Sequence, residues 1–373
     1  MKIAVNTRIL LPNRLGGVGW FTYETLKRIT QNHPEHQFHF LFDRQYHNDF
    51  IFSDNITPHI IHPQARHPFL FYLWFEHSLP RAFKTIKPDI FLSQDGYLSL
   101  NSKVKSLSVI HDINFHHFPK DVPYLVRKYY NFFFPRFAKH ANRIATVSEF
   151  SKSDISQSYD IDENKIDVVY NGVNKMYKPL NESINAETRK EHSNGCPYFL
   201  FVGTLLPRKN ISNLMKSFDL FKQKTTSSVK LIIIGNKKWW TADMEAAYSN
   251  MVFKEEVIFK GYIQPDELHR ILSAALALSF VPHFEGFGIP ILEAMACGTP
   301  VITSKASSTQ EVGADATILV DPYNCEEIAD AMKAILEDEN LRTKLAKAGA
   351  KRVTDFSWDK TADLLWKSIE KMM

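Results

Sequence analysis

The sequence predicts an α/β protein built as two Rossmann-like domains, each around a parallel sheet. Its 373 residues are enough for two domains with a core apiece. Short apolar runs of strand length alternate with longer helix-like segments along the whole chain, the pattern of parallel sheets joined by crossover helices. Three strands, over residues 2–6, 198–202 and 275–281, each lead through a glycine-containing turn into a helix. Such a turn aims the free N–H groups of the first helical turn, and the positive end of the helix dipole, at an anion.

In the first half, Gly16-Gly17-Val18-Gly19 follows strand 2–6 and opens an amphipathic helix over 18–32. Strands follow at 38–42 and 56–61, then a helix over 70–86 interrupted near Pro80, then strands at 89–93 and 107–110. His111 directly follows the last of these. Ligands of open α/β sheets sit at the carboxyl ends of strands, so His111 is a candidate contact. His116 and His117 lie nearby, which keeps an ordinary structural histidine open as a reading. Residues 123–140 form a helix in which Tyr129, Tyr130, Phe132, Phe133, Phe134 and Phe137 interleave with Arg127, Lys128, Arg136 and Lys139. Two readings stand: aromatic core packing against a sheet, or a basic amphipathic helix in a membrane interface. Strand 143–147 leads to Ser148, a suitable N-cap for the helix SEFSKSDI. Asp160 and Asp162 lie in the polar run SQSYDIDENK rather than at the end of an apolar strand, and are read as a solvated loop without metal.

Residues 174–196 are polar, with Pro179 and Gly195, and have the composition of a linker between domains that has room for one short helix. Strand 198–202 then leads through Gly203 to Arg208 and Lys209 at a helix entrance. Two adjacent cations can neutralise a diphosphate. Further strands are expected at 230–234, 257–259 and 316–320, with Gly261-Tyr262 following the second. After strand 275–281, the loop PHFEGFGI precedes a helix opened by Pro290 and ended by Gly298. This stretch holds two carboxylates, Glu285 and Glu293. A carboxylate repels phosphate, so each fits better as an acceptor for sugar hydroxyls. Helices over 324–337 and 339–350 look structural, and a last helix runs to Met373.

The string EGFGIPILEAMACGTPV, residues 285–301, resembles the donor-site signature of the family 4 retaining glycosyltransferases, which have the GT-B fold. GTLLPRKN at 203–210, TVSEFSKSDI at 146–155 and NGV at 171–173 resemble the family too. The resemblance implies two Rossmann-like domains facing across a cleft. One spans 1–178 and takes the acceptor, with a C-terminal helix at 357–373 packing back on it; the other spans 196–356 and takes a nucleotide-sugar donor. It implies that Glu285 contacts the donor sugar and Glu293 the ribose hydroxyls. Backbone N–H groups of Phe287, Gly288 and Ile289 hold sugar or phosphate oxygens, and Arg208 and Lys209 bind the donor phosphates. Gly17 faces those phosphates, His111 touches the donor sugar, and Tyr262 lies near the nucleobase, where it is equally readable as a packing residue. The expected reaction is retaining hexosyl transfer to a glycan or lipid-linked glycan in polysaccharide biosynthesis, with neither cofactor nor metal. UDP-sugars and GDP-mannose are both open, with a lean to mannose from HFE at 283–285 and GTLLPRKN. A phosphorylase or epimerase of the same fold, and a non-catalytic sugar-nucleotide binder, are the alternatives.

Charge is uneven. Residues 1–180 hold 22 Lys and Arg against 16 Asp and Glu, and the remainder 23 against 25. A basic half suits an anionic partner such as a membrane surface, although an excess of this size is also ordinary. Nothing points to nucleic acid. Cys196, Cys297 and Cys325 are widely spaced and fit neither a metal motif nor a disulfide framework. No run of 18 apolar residues is present, and the first strand carries Arg8, unlike a signal peptide. A cytoplasmic protein, peripheral at the inner membrane face, is expected.

Overall fold

The computed structural model describes residues 1–12 and 15–373. It divides into two compact units, Met1–Gly172 with Trp358–Met373, and Val173–Ser357.

The first unit is built on seven parallel strands: β1 (Lys2–Asn6), β2 (Gln37–Phe42), β3 (Ile56–Ile60), β4 (Ile90–Ser93), β5 (Lys105–Val109), β6 (Arg143–Thr146) and β7 (Ile166–Val168). Their order is β3-β2-β1-β4-β5-β6-β7. In register, Val5 of β1 lies opposite Phe40 of β2 and Leu92 of β4. Ile3, Ala4, Val5, Phe40 and Leu92 have no exposure or nearly none, as expected of parallel strands covered on both faces. The crossovers are α1 (Gly17–Asn32), α2 (Pro68–Leu73), α3 (Leu79–Ile86), α4 (Asn114–His117), α5 (Tyr124–His140) and α6 (Glu149–Tyr159). Ser148 caps α6 by accepting from the Ser151 N–H at 3.0 Å.

The helix expected over 70–86, with an interruption near Pro80, is interrupted there by a π-turn at Trp74–Ser78. Pro80 cannot donate back into the preceding turn, and the ladder is widened there, with the Leu79 N–H bonding the Trp74 carbonyl. The π-turn also serves the packing around it. It buries Trp74 and Phe75 and turns the Glu76 carboxylate onto the backbone N–H groups of Leu100 and Asn101, at 2.9 and 3.0 Å.

The second unit begins with α7 (Glu182–Ser193). The stretch expected to be a linker thus carries a 12-residue helix packed on α10. Asn181 caps α7 through the Ile184 N–H, and Lys178 and Leu180 bond to His269 and Ser273. Six parallel strands follow: β8 (Tyr198–Val202), β9 (Lys230–Ile234), β10 (Val257–Phe259), β11 (Ala277–Phe280), β12 (Val301–Ser304) and β13 (Ile318–Val320), in the order β10-β9-β8-β11-β12-β13. Their helices are α8 (Ile211–Lys224), α9 (Ala242–Ser249), α10 (Pro265–Ala274), α11 (Ile289–Ala296), α12 (Ser308–Gly313), α13 (Cys325–Glu337) and α14 (Glu339–Arg352). The last helix, α15 (Trp358–Glu370), belongs to the first unit and packs on α1. Arg28 of α1 bonds Asp359, and the Phe21 and Trp358 rings meet edge to face at 6.3 Å.

Each sheet reverses its strand order once. The reversal lies between β1 and β4 in the first sheet and between β8 and β11 in the second. Loops leaving the carboxyl ends of such a strand pair diverge and open a crevice for ligands.

Candidate active site

At the reversal of the second sheet, the loop after β8 meets the loop after β11. The Arg208 guanidinium donates to the Phe284 carbonyl at 3.1 Å and to Glu285 Oε2 at 3.2 Å. The Lys209 ammonium bonds the same carboxylate oxygen and lies 5.0 Å from the centre of the Phe280 ring. His283 N–H donates to the Arg208 carbonyl at 2.8 Å. Asn210, in the left-handed region at φ 64°, donates its amide to the carbonyls of Val281 and Pro322. That residue ties the start of α8 to the ends of β11 and β13. Burial pushes the Glu285 carboxyl up, and the charges of Lys209 and Arg208 pull it back below its ordinary value. It is therefore ionised at neutral pH.

The resemblance assigns the two cations to the donor phosphates and keeps both glutamates away from the anion. Glu285 itself bonds both cations. Two positive charges and one negative leave a net single positive charge at the crevice.

The N-terminus of α11 adjoins this triad. Gly288 is its N-cap at φ 105°, a left-handed value that disfavours any side chain, and an added Cβ would come within 3.0 Å of Ile291 Cδ1. The helix therefore begins at Ile289, one residue before Pro290, and no acidic residue in its first turn offsets the dipole. Phe287 is buried and packs edge to face on Phe356 at 5.8 Å.

Glu293 is half-buried on the same helix. Burial raises its carboxyl to about 7, and the bond from the Tyr177 hydroxyl offsets only part of this. Burial and the neighbouring Glu293 in turn raise the Tyr177 hydroxyl and push Cys297 up to about 12. Near neutrality Glu293 is thus poised between acid and carboxylate.

Two serines that sequence reasoning passes over hold the Glu285 loop. Ser307 accepts from the Glu285 N–H at 3.1 Å; Ser308 donates to the carbonyls of Glu285 at 2.7 Å and Phe287 at 3.0 Å. Ser307 has φ 57° and ψ −156°, a conformation that is strained for any residue with a side chain. The run ASST between a strand and a helix is the only local signal, and it reads as an ordinary cap.

Gly17 is exposed at the first position of α1, whose N-terminus also lacks acidic residues in its first turn. His111 follows β5. Its Nε2 lies 3.0 Å from the Gln94 carbonyl and must carry the proton, which leaves Nδ1 as an acceptor. Burial lowers the His111 pKa, so the ring is neutral at pH 7; Phe21 packs on it edge to face at 4.9 Å. Tyr262 is 68% exposed, next to Gly261, which bridges Gly235 at the end of β9. Asp160 and Asp162 do local work: the first ends α6 in a left-handed cap, and the second accepts from the Asn164 N–H at 2.9 Å.

At the reversal of the first sheet stands a second ion pair, which no local pattern announces. Arg8 donates to Asp95 at 2.8 Å and to the Ala65 carbonyl at 3.1 Å, and lies 4.4 Å from the centre of the Tyr97 ring. Asn6 adds a bond to Asp95 at 2.8 Å. Burial works against the Arg8 charge, and Asp95 and Tyr97 more than restore it.

Residues 181–352 match the family model described as glycosyl transferases group 1, and residues 15–175 that described as glycosyltransferase family 4. The O-antigen chain mannosyltransferase B of Escherichia coli is 27% identical over 279 residues, covering 74% of this chain and 73% of that protein. The O-antigen chain mannosyltransferase RfbU of Salmonella typhimurium is 32% identical over 226 residues, covering 61% of this chain and 59% of its own length. Among solved structures, Anabaena Alr3699/HepE, described in complex with UDP and glucose, superposes with a TM-score of 0.75 at 16% identity over the full length of both chains. That likeness concerns the fold, GT-B, which matches the two parallel-sheet units. The signature at 285–301, the cation pair answering it from β8, and the two family matches agree: the chain is a mannosyltransferase-like member of the family 4 glycosyltransferases.

Proposed function

We propose that the protein transfers a sugar, mannose, from a nucleotide-diphosphate sugar to a hydroxyl of a glycan or lipid-linked glycan during assembly of a cell-surface polysaccharide. It works in the cytoplasm, retains the anomeric configuration and needs no divalent metal. The observation that carries this reading is the convergence of Arg208, Lys209 and Glu285 beside the α11 N-terminus. Mannose is supported by the two O-antigen relatives, both named as mannosyltransferases. A sugar nucleotide is supported by the Anabaena protein of the same fold, which is described in complex with UDP and glucose.

In the reaction the bond between the sugar's anomeric carbon and the diphosphate breaks. The acceptor oxygen bonds that carbon on the same face, and its proton passes to the departing diphosphate. Charge builds on the leaving phosphate oxygen, and fixed positive groups can stabilise it in place of a metal ion. Arg208, Lys209 and the first turn of α11 supply them, with the backbone N–H groups of Phe287, Gly288 and Ile289 offered to sugar or phosphate oxygens. Glu285 accepts from the donor sugar, and Glu293 accepts from the ribose hydroxyls. Tyr262 stacks near the nucleobase.

A melting-temperature screen against GDP-mannose, UDP-glucose and ADP-glucose tests the donor, because a ligand stabilises according to its concentration over its dissociation constant. GDP-mannose should give the largest shift. No shift with any of the three would sink the reading. Turnover should continue in excess chelator; activity lost to chelator and restored by Mg²⁺ would overturn the metal-independent step. Replacing Ser308 by alanine removes the single hydroxyl proton shared between two loop carbonyls, at roughly 0.5–1.5 kcal/mol in all. The Ser308→Ala enzyme should lose turnover about tenfold with KM for the donor little changed. Unaltered turnover would mean that the Glu285 loop holds its shape without the serine.

A further inference from the structure

The first unit carries a surface patch that the transfer chemistry does not use. On α5, Tyr129, Phe134 and Phe137 are buried in a cluster with Trp74, Phe75 and Tyr97. The core reading of this segment is therefore right for that face. The opposite face is a separate stripe. Leu125, Lys128, Phe132, Arg136 and Lys139 recur at helical spacing and are at or near the surface. The neighbouring α2, which packs on α5, adds Phe69 and Tyr72, the latter with its ring 6.1 Å from that of Phe133. Phe69, Tyr124, Leu125 and Phe132 are 63, 60, 57 and 52% exposed, and Tyr72 39%. Single exposed apolar residues are ordinary, whereas five on two packed helices form a patch that calls for a partner.

Charge says which partner. The Arg136 guanidinium lies 3.6 Å from the centre of the Phe132 ring, and Arg127 and Lys128 lie 5.3 and 5.6 Å from that of Tyr124. Residues 122–148 hold no Asp or Glu at all. Between 55 and 88 the one carboxylate is Glu76, which is 4% exposed and turned inward onto Leu100 and Asn101. The cations are thus neutralised by nothing on their own elements, and they stand level with aromatic rings. Bilayer interfaces favour that combination: rings settle at headgroup depth, and Lys and Arg meet anionic lipid beside them. No helix among the described residues is long and apolar enough to cross a membrane, so the contact lies in the plane of the surface.

We propose that the exposed faces of α2 and α5 dock the protein on an anionic lipid bilayer. The proposal goes beyond the transfer reaction and is tested without donor or turnover, so its failure is separable from failure of the functional reading. The full chain is sedimented with vesicles of phosphatidylcholine alone and with an equimolar mixture of phosphatidylcholine and phosphatidylglycerol, at low and high salt. Two triple variants accompany it, Phe69→Ser/Tyr72→Ser/Phe132→Ser and Arg127→Gln/Lys128→Gln/Arg136→Gln. All six positions are at or near the surface, and unchanged melting curves verify folding. The wild type should sediment with the anionic vesicles at low salt and be released at high salt. Each triple variant should partition at least about tenfold less, because each loses either the apolar or the electrostatic half of the attraction. Absence of wild-type sedimentation with anionic vesicles at low salt overturns the proposal. So does equal binding to pure phosphatidylcholine, or binding that both variants keep, which would place the contact elsewhere.

Discussion

Glu285→Gln is expected to bind a free nucleoside diphosphate more tightly than the wild type while losing most sugar transfer. The Glu285 carboxylate is bonded to both Arg208 and Lys209. A diphosphate reaching those cations must displace it, at the cost of charge-assisted bonds worth about 1.5–3 kcal/mol each. Glutamine keeps the shape and removes the competing charge, so affinity for GDP or UDP should rise several-fold. Turnover should fall at least about a hundredfold, because the group proposed to meet the donor sugar is no longer a carboxylate. Lys209→Ala should do the opposite to affinity, weakening diphosphate binding about tenfold or more. It should also lower the melting temperature, since the side chains of this triad are 10–16% exposed and removing one member of a nearly buried ion pair is strongly destabilising. Calorimetric titration with GDP and UDP reads both effects. If Glu285→Gln and Lys209→Ala shift affinity in the same direction, Glu285 does not compete with phosphate.

The second large effect concerns Glu293 and pH. Its folded pKa is about 7, against an ordinary value near 4.5. Between those values the folded state binds the proton more tightly than the unfolded chain. Stability contributed by the protonated form is therefore complete below pH 4.5 and falls as pH rises to 7. By pH 8 the ionised carboxylate costs roughly 3 kcal/mol relative to the acid form, at about 1.4 kcal/mol per pKa unit. Glu293→Gln should be more stable than the wild type at pH 8, with the advantage shrinking toward pH 5. Function runs the other way. Ribose hydroxyls donate better into a carboxylate than into a carboxylic acid, so wild-type donor affinity should increase from pH 6 to pH 8 by about tenfold. The glutamine variant should bind weakly and without that slope. Melting curves and donor titrations across this range provide the check. Parallel pH profiles for the two proteins would mean that Glu293 titrates normally.

Both effects arise from pairings between segments far apart in the chain, and that is where reading the sequence stops. The alternation of strand and helix, the glycine turns, the Ser148 cap and the signature at 285–301 are all legible. Such signals are local: hydrophobic period, the φ freedom of glycine and the missing N–H of proline act within a few residues. The sequence by itself therefore determined an α/β chain with two parallel sheets, and the family to which its donor-site string belongs. Only the tertiary structure decided that Glu285 is paired with cations 76 and 77 residues away, that Ser308 clamps its loop, and that burial lifts Glu293 toward neutrality beside Tyr177. It also decided which aromatic side chains of α5 are core and which are surface, and that the interruption near Pro80 takes the form of a π-turn burying Trp74. The reason is common to all of these. Strand order decides which loops meet at a sheet's reversal, and burial and charge act through space on whatever those loops bring together.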